Sequence, residues 1–481
     1  MKTFIKSILA AALLSAAMAA PLQAKNLNTS KLGIKGDGTT LVTDKLQKAI
    51  DRCAATGGGT LTVSPGTYLT GTLYLRSHVQ LHIERGAVIL GSTRIPEDYP
   101  VMAIITGDGI EDAGISGKGL IDGQAVHPDI VARHFHGGSE MQRPKALYFK
   151  DCKNISVKDI SIQNAVSWTF HLFRCDGVQI DGISIHCLAV ANNDGIDIDA
   201  KNVTISNCLI ESEDDAICFK SDDPDFLPEN ITVTNCVLAS NCNLIKFGTA
   251  SWAGFRNISV SNCVLKPTSA ALVWDWPTRY RKLAPGTLTG ISGIAIESAD
   301  GGTVENLTFS NISMEGVMAP IFISLNRRHG EGKGAIRHIN ISGIVAKTEG
   351  ILPCIISGIP ESRIEDVNIR DVSIVCDGGE DRMERRTPES PVAYPEIDMF
   401  GPYNPAGAFF VRHADNIRLE NIRVEAVQTD HRPAIVADDV TDLCVKRLDA
   451  KNFDSASSLE NIESKDVYLD GRLIPAYGST L

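Results

Sequence analysis

Aromatic residues are scarce, at 6% of the 481-residue chain, and basic charge is not in surplus: 46 Lys and Arg face 58 Asp and Glu, a formal net charge of −12. A nucleic-acid binder normally shows the opposite balance, because it must neutralise phosphates. A polyanionic ligand remains open, since a few local Arg and Lys can serve one. Cys-x-x-Cys spacing is absent among the 12 cysteines, so the usual sequence sign of a zinc site is missing. His78 and His82 have the spacing of a metal pair, but they lie in an alternating segment, and four residues of strand span about 13 Å. No metal and no cofactor are expected. Long apolar runs are also missing beyond the N-terminus. The run from Ile8 to Ala20, behind Lys2 and Lys6, is short for a membrane span of ~20 residues. Ala17-Met18-Ala19 and Leu22-Gln23-Ala24 offer small-residue cleavage sites there. Residues 1–24 therefore read as a secretory signal, with an uncleaved anchor as the alternative. Residues 25–481 read as one exported domain, secreted or periplasmic, acting as a monomer.

What is present is glycine, 41 residues of it, with 43% hydrophobic content, a globular composition leaning to turn-rich β structure built from aliphatic side chains. A phrase recurs: Lys153-NISVKDISI, Lys201-NVTISNCLI, Glu229-NITVTNCVL, Arg256-NISVSNCVL, Glu305-NLTFSNISM, Arg337-HINISGIVA, Asp415-NIRLENIRV. Between Asn154 and Asn257, with Gly177-VQIDGISI included, it recurs every ~25 residues, the period of a solenoid, and alternation over four or five residues makes each run a short strand. Stacking coil on coil buries one face of each, which predicts a single right-handed parallel β-helix, an all-β fold. Cys208, Cys236 and Cys263 hold one place in the phrase and should stack in an interior row, behaving as small hydrophobes; Cys218 and Cys242 are left as possible disulfide partners. The Asn-x-Ser/Thr triplets at Asn154, Asn202, Asn230, Asn257, Asn306 and Asn340 read as bend-and-strand grammar rather than glycosylation sites. Leu46, Ile50 and Cys53 share one helical face in Asp44-KLQKAIDRCAA, a short N-terminal capping helix that Asp44 can start. Thr268 to Gly290 and Val375 to Pro405 break the rhythm and read as long loops, where binding usually sits.

Two acidic clusters lie twenty residues apart, about one coil: Asn192-Asn193-Asp194-Gly195-Ile196-Asp197 and Glu213-Asp214-Asp215. Neighbouring coils stand ~4.8 Å apart, and an inverting glycosidase needs two carboxyls ~6.5–9.5 Å apart with a water between them. Four crowded acids cannot all ionise cheaply, and one that keeps its proton is what a leaving glycosidic oxygen requires. Solvated turns or a Ca²⁺ site are the bland readings of the same residues.

Gly33-IKGDGTT, Gly57-GGTLTVSPGTYLTGTLYL, Arg143-Pro144 with Asn164-AVSWTFHL, the Asn-x-Asp-Gly-Ile-Asp segment at 192–197 and the Asp-Asp pair at 214–215 together resemble the polygalacturonase family, glycoside hydrolase family 28. The resemblance implies an inverting hydrolase of pectic α-glycosidic bonds, with Asp214 as general acid and Asp194 and Asp215 holding the attacking water. Two motifs depart from the family. Asn241-Cys242-Asn243-Leu244 stands where Gly-His-Gly is expected, with Asn243 at the His position, and Ala295-Ile296-Glu297 stands for Arg-Ile-Lys. Glu297 is expected to repel a uronate there. Replacement contacts are sought in Asp197, Lys220, Asn241, Asn243 and Lys246, in Trp274, Trp276, Arg279, Arg281 and Lys282 of the inserted loop, and in Arg327 and Arg328. Trp168 and His171 read as packing. The expected partner is a pectic polysaccharide or oligosaccharide, with a branched or rhamnose-containing pectin favoured over plain polygalacturonate. A Ca²⁺-dependent β-helix lyase using Lys220 or Lys246 as base, and a non-catalytic carbohydrate-binding solenoid, are the rival readings.

Overall fold

The computed structural model describes residues 24–477 apart from 136–138, 271–282, 284–285, 330–332, 383–386, 390–391, 401–403 and 454–457. The chain is a parallel β-helix. Its described strands join one hydrogen-bonded network in which every strand pairing is parallel except Lys465–Leu469 with Arg472–Leu473. The register repeats coil after coil. Ile155, Val178, Val203, Ile231, Ile258, Leu307, Ile339, Val367, Ile417, Leu443 and Val467 sit directly above one another. All are buried. Each coil thus supplies the apolar partner that a half-buried strand lacks on its own.

The recurring Asn makes the bend. Asn202, Asn230, Asn257 and Asn306 adopt φ of 54°, 59°, 56° and 59°, the left-handed region that Asn tolerates better than most residues. Their amides then form a ladder up the outside of the coils: Asn230 donates to Asn202 (3.1 Å), Asn257 to Asn230 (3.2 Å) and Asn306 to Asn257 (3.1 Å). Asn340 departs from the expected grammar. It lies inside the strand Ala335–Thr348, and His338 (φ 55°) makes the bend on that coil.

Cys208, Cys236 and Cys263 stack as anticipated, each buried and each thiol within 3.3 Å of the carbonyl two residues before it. No disulfide forms: all twelve cysteines, Cys218 and Cys242 included, are free thiols. The helix Thr43–Ala54 (α1) buries Leu46, Ala49, Ile50 and Cys53. Its start differs from expectation. Val42 occupies the N-cap without a side-chain bond, Asp44 falls in the first turn, and the Thr43 hydroxyl accepts instead from the Gly71 N–H at 2.8 Å. The rhythm also persists further than expected, because the strand Ile364–Gly378 includes Val375. The segment after it carries Ile397 and Phe400 onto a second apolar cluster with Ala295, Phe322, Ile355, Phe410 and Val436. These lie on the outer side of strands whose alternate residues fill the main core.

Candidate active site

The acids meet because two coils approach closely. The Gly195 N–H donates to the Asp215 carbonyl at 2.9 Å, and the Ala216 N–H to the Asn243 carbonyl at 2.9 Å. A Cβ on residue 195 would stand 2.3 Å from the Ala216 carbonyl oxygen, so glycine is required between the two clusters. The turn before it rests on Asn192, at φ 54°, and is held by Arg143, which is fully buried and donates to the Ala191 carbonyl (2.6 Å) and Asn192 Oδ1 (3.0 Å). Asn193 donates to the carbonyls of Ala165 (3.0 Å) and Ser167 (2.8 Å). Carboxylate oxygens of Asp194 and Asp215 consequently lie within 4.8 Å of each other, as do those of Asp214 and Asp215, closer than the ~6.5–9.5 Å expected of an inverting pair. Of Asp194, Asp197, Asp214 and Asp215, Asp214 alone is partly exposed.

Two lysines, Lys246 buried and Lys220 partly so, divide these acids. Lys220 Nζ lies 3.1 Å from Asp197 and 3.5 Å from Asp194, and 4.7 Å from the centre of the Trp168 ring. Lys246 Nζ lies 3.7 Å from Asp215 and 3.8 Å from Glu297. The result is a split in protonation. Burial, with the charges of Asp194 and Asp215 added, raises the Asp214 carboxyl well above its ordinary range. Burial and the Asp194 charge do the same to Asp197. Burial also raises Asp194, against the pull of Lys220. For Asp215 burial is outweighed by Lys246, Lys220 and the Asn243 amide, and its carboxyl is lowered. Asn243 donates to Asp215 Oδ1 from both its side chain (2.9 Å) and its backbone N–H (3.1 Å).

A cleft of about 640 Å³ opens over this cluster, with Asp194, Asp214, Asp215, Lys220, Asn243 and Lys246 in its wall. Trp168, expected to be packing, lines it too, while His171 is buried and stacks on Tyr148 at 5.1 Å. Asp197 is fully buried and meets Lys220 rather than the cleft surface. Asn241 turns away, its amide donating to Glu213 Oε2 at 2.7 Å. Arg327 pairs with Glu361 at 3.3 Å, whereas Arg328 reaches the cleft. Trp274, Trp276, Arg279, Arg281 and Lys282 lie outside the described residues. Glu297 does not repel a uronate in the expected way. It is 1% exposed, and burial pushes its carboxyl up to about 8, so it is uncharged near neutral pH.

Sequence reasoning missed Tyr394 and Glu396, which a segment 145 residues beyond Thr249 brings to the cleft. The Tyr394 hydroxyl meets Thr249 Oγ1 at 2.7 Å and its ring lies 5.7 Å from Lys246 Nζ. Nothing in the repeat marks them. Lys220, Lys246 and Arg328 were among the expected cations and line the cleft, but Arg328 could not be separated from Arg327 without the coil geometry.

Could the acids hold a metal ion? Asp194, Asp215 and Cys218 form one possible group, and Asp214, Asp215 and Cys242 another. Both include a thiol that burial keeps protonated, whereas Ca²⁺ takes six to eight oxygens. Lys220 and Lys246 already supply the countercharge. The donor set fits a salt-bridged acid cluster better than a Ca²⁺ cage.

The sequence profile described as "Glycosyl hydrolases family 28" matches residues 53–272. A "Probable polygalacturonase" of Vitis vinifera is 32% identical over 211 residues, 39% of this chain and 42% of the relative, so the chain spans about two-fifths of that protein. An "Endo-polygalacturonase" of Pectobacterium carotovorum subsp. carotovorum is 23% identical over 388 residues, 72% of this chain and 86% of the relative. Among solved structures, an exopolygalacturonase from Thermotoga maritima superposes with a TM-score of 0.61 at 23% identity, covering 73% of this chain and 87% of that one, a likeness of fold. Residues 53–272, which hold all four aspartates of the cleft, are thus similar to glycoside hydrolase family 28.

Proposed function

We propose that the protein hydrolyses α-glycosidic bonds of a pectic polysaccharide with inversion, outside the cytoplasm. Asp214 donates its proton to the leaving oxygen; Asp215 and Asp194 hold the attacking water, and Asp215, the one lowered carboxyl, takes its proton. The observation that carries this reading is the opposite displacement of two adjacent carboxyls. Asp214 is held protonated and partly exposed, and Asp215 is held ionised by Lys246 and Asn243. An acid and a base are thereby available together near neutral pH.

The substrate is an acidic sugar chain. Of the carboxyls around Lys220 and Lys246, only Asp215 is lowered, whereas Asp194, Asp197 and Glu297 are raised. The cleft is therefore not dominated by negative charge. Lys246 pairs in register with Ala295, and so places its ammonium one coil below the position where the family's Arg-Ile-Lys begins. A uronate carboxylate beside Lys246 gains a charge-assisted hydrogen bond. Because Ala295 removes one such contact, a chain alternating uronate with a neutral sugar, as in rhamnogalacturonan, suits the site better than plain polygalacturonate.

The test is product analysis on polygalacturonate, rhamnogalacturonan and branched pectin, with and without chelator, following the anomeric configuration of fresh product by NMR. Hydrolysis with inversion, indifferent to chelator, is expected. An unsaturated product absorbing in the ultraviolet would establish a lyase instead, and binding without turnover a carbohydrate-binding solenoid.

A further inference from the structure

One cluster beside the cleft has no part in the acid–base reading. Asp300, whose side chain is fully buried, receives Arg328 through Nε (2.9 Å) and Nη2 (3.0 Å), accepts the Ser251 N–H (3.0 Å), and meets His329 Nδ1 at 2.8 Å. The His329 ring in turn lies against Trp252, with centroids 5.9 Å apart and planes within 6° of parallel. Trp252 is nevertheless 44% exposed. One buried carboxylate therefore fixes a guanidinium and, through an imidazole, a tryptophan.

The placement is specific. Arg328, Ala250 and Asp222 line the cleft, and the Trp252 N–H donates to the Ser221 carbonyl at 3.0 Å, which sets Trp252 one coil from Asp222. Arg328 spends Nε and Nη2 on Asp300, which leaves Nη1 without a hydrogen bond among the described residues. Asp222 offers an acceptor for sugar hydroxyls. A planar aromatic face next to an immobilised cation is matched by a pyranose ring bearing a carboxylate, through stacking on one and a charge-assisted bond to the other.

We propose that Trp252, backed by His329, and Arg328 form an outlying subsite for a uronic-acid residue of the substrate chain, beyond the sugars held at the aspartates. This inference rests on the pectic reading above and extends it to the length of chain the protein grips.

The experiment uses the full chain carrying Asp214→Asn, so that substrate persists, and measures the affinity of oligogalacturonides of rising length by calorimetry. Trp252→Ala added to it is expected to weaken binding of a long oligomer about tenfold, the scale of one lost stacked ring, and to erase the gain in affinity from short to long. Trp252→Phe should restore part of that gain. Arg328→Met should remove the preference for a long uronide over its carboxyl-reduced counterpart. If long and short oligomers bind the Trp252→Ala variant with the same difference as its parent, the subsite is wrong while the pectic reading stands. If no pectic oligomer binds the parent and the wild-type chain hydrolyses none, both readings fall.

Discussion

The same outward row of the β-helix serves two purposes along its length. On the earlier coils it reads His171, Asp197, Cys218, Lys246; on the later coils it continues in register as Ala295, Phe322, Ile355, Phe410, Val436. The backbone is equivalent throughout. The earlier half supports a charged cleft, while the later half is apolar and is covered by Ile397 and Phe400 of the long segment after Gly378. The ladder thus decides where a side chain stands, and only its identity decides whether the position belongs to a charged cleft or lies under a covering segment. The switch falls between Lys246 and Ala295, where the covering segment also delivers Tyr394 to the cleft.

Breaking the charged half should produce the largest effect. Asp214→Asn keeps the shape but has no carboxylic proton, and kcat should fall by ~10²–10⁴-fold with an unchanged circular-dichroism spectrum. Wild-type turnover by that variant would remove Asp214 from the chemistry. Lys246→Met comes next. It strips Asp215 of its nearest cation, and loss of one partner of a buried pair costs ~3–5 kcal/mol unless the remaining group neutralises. In the proposed mechanism Asp215 must stay ionised, so the acid limb of the pH profile of kcat/KM should move to higher pH. An unmoved limb would mean that Lys246 does not set the charge of Asp215.

Glu297 sharpens the border between the two halves. Its carboxyl is raised to about 8 by burial. A raised folded-state pKa contributes stability below the unfolded value, and that contribution is lost as pH rises through the folded one. Wild-type stability should therefore decline between about pH 4.5 and 8, by at most ~1.4 kcal/mol per pH unit. Glu297→Gln should flatten that decline and leave the protein more stable at pH 7, as read by denaturant melts across the range. The smallest effect belongs to the scaffold. Asn230→Ala removes a left-handed residue and two rungs of the Asn ladder, and should cost ~1–2 kcal/mol without altering the pH profile.

Much of this was legible beforehand because a β-helix repeats its grammar. Alternation at Val203 and Ile205 gave the strand, Asn202 the bend, and Cys208, Cys236 and Cys263 a common interior row. The acids at 194, 214 and 215 were legible for the same reason, since one coil of separation brings them together. The inverted role of Glu297 was not. A carboxylate drawn from sequence carries a charge, and only its burial beside Lys246 shows that it does not. Tyr394 was hidden too, since it reaches Thr249 across 145 residues of chain with no repeat to announce it.

Sequence by itself determined what depends on neighbours one coil away: strand, bend, interior row, and the meeting of Asp194 with Asp215. These are set by backbone hydrogen bonds and alternate burial, which act alike on every repeat. Tertiary structure decided what depends on desolvation and on segments outside the repeat. That Asp215 is lowered while Asp194, Asp197 and Asp214 are raised follows from desolvation of the whole cluster and from where Lys246, Lys220 and the Asn243 amide stand. That the outward row ends as a covered apolar face follows from where the segment bearing Ile397 and Phe400 comes to rest. Both are sums over many contacts distant in sequence, and no local pattern encodes them.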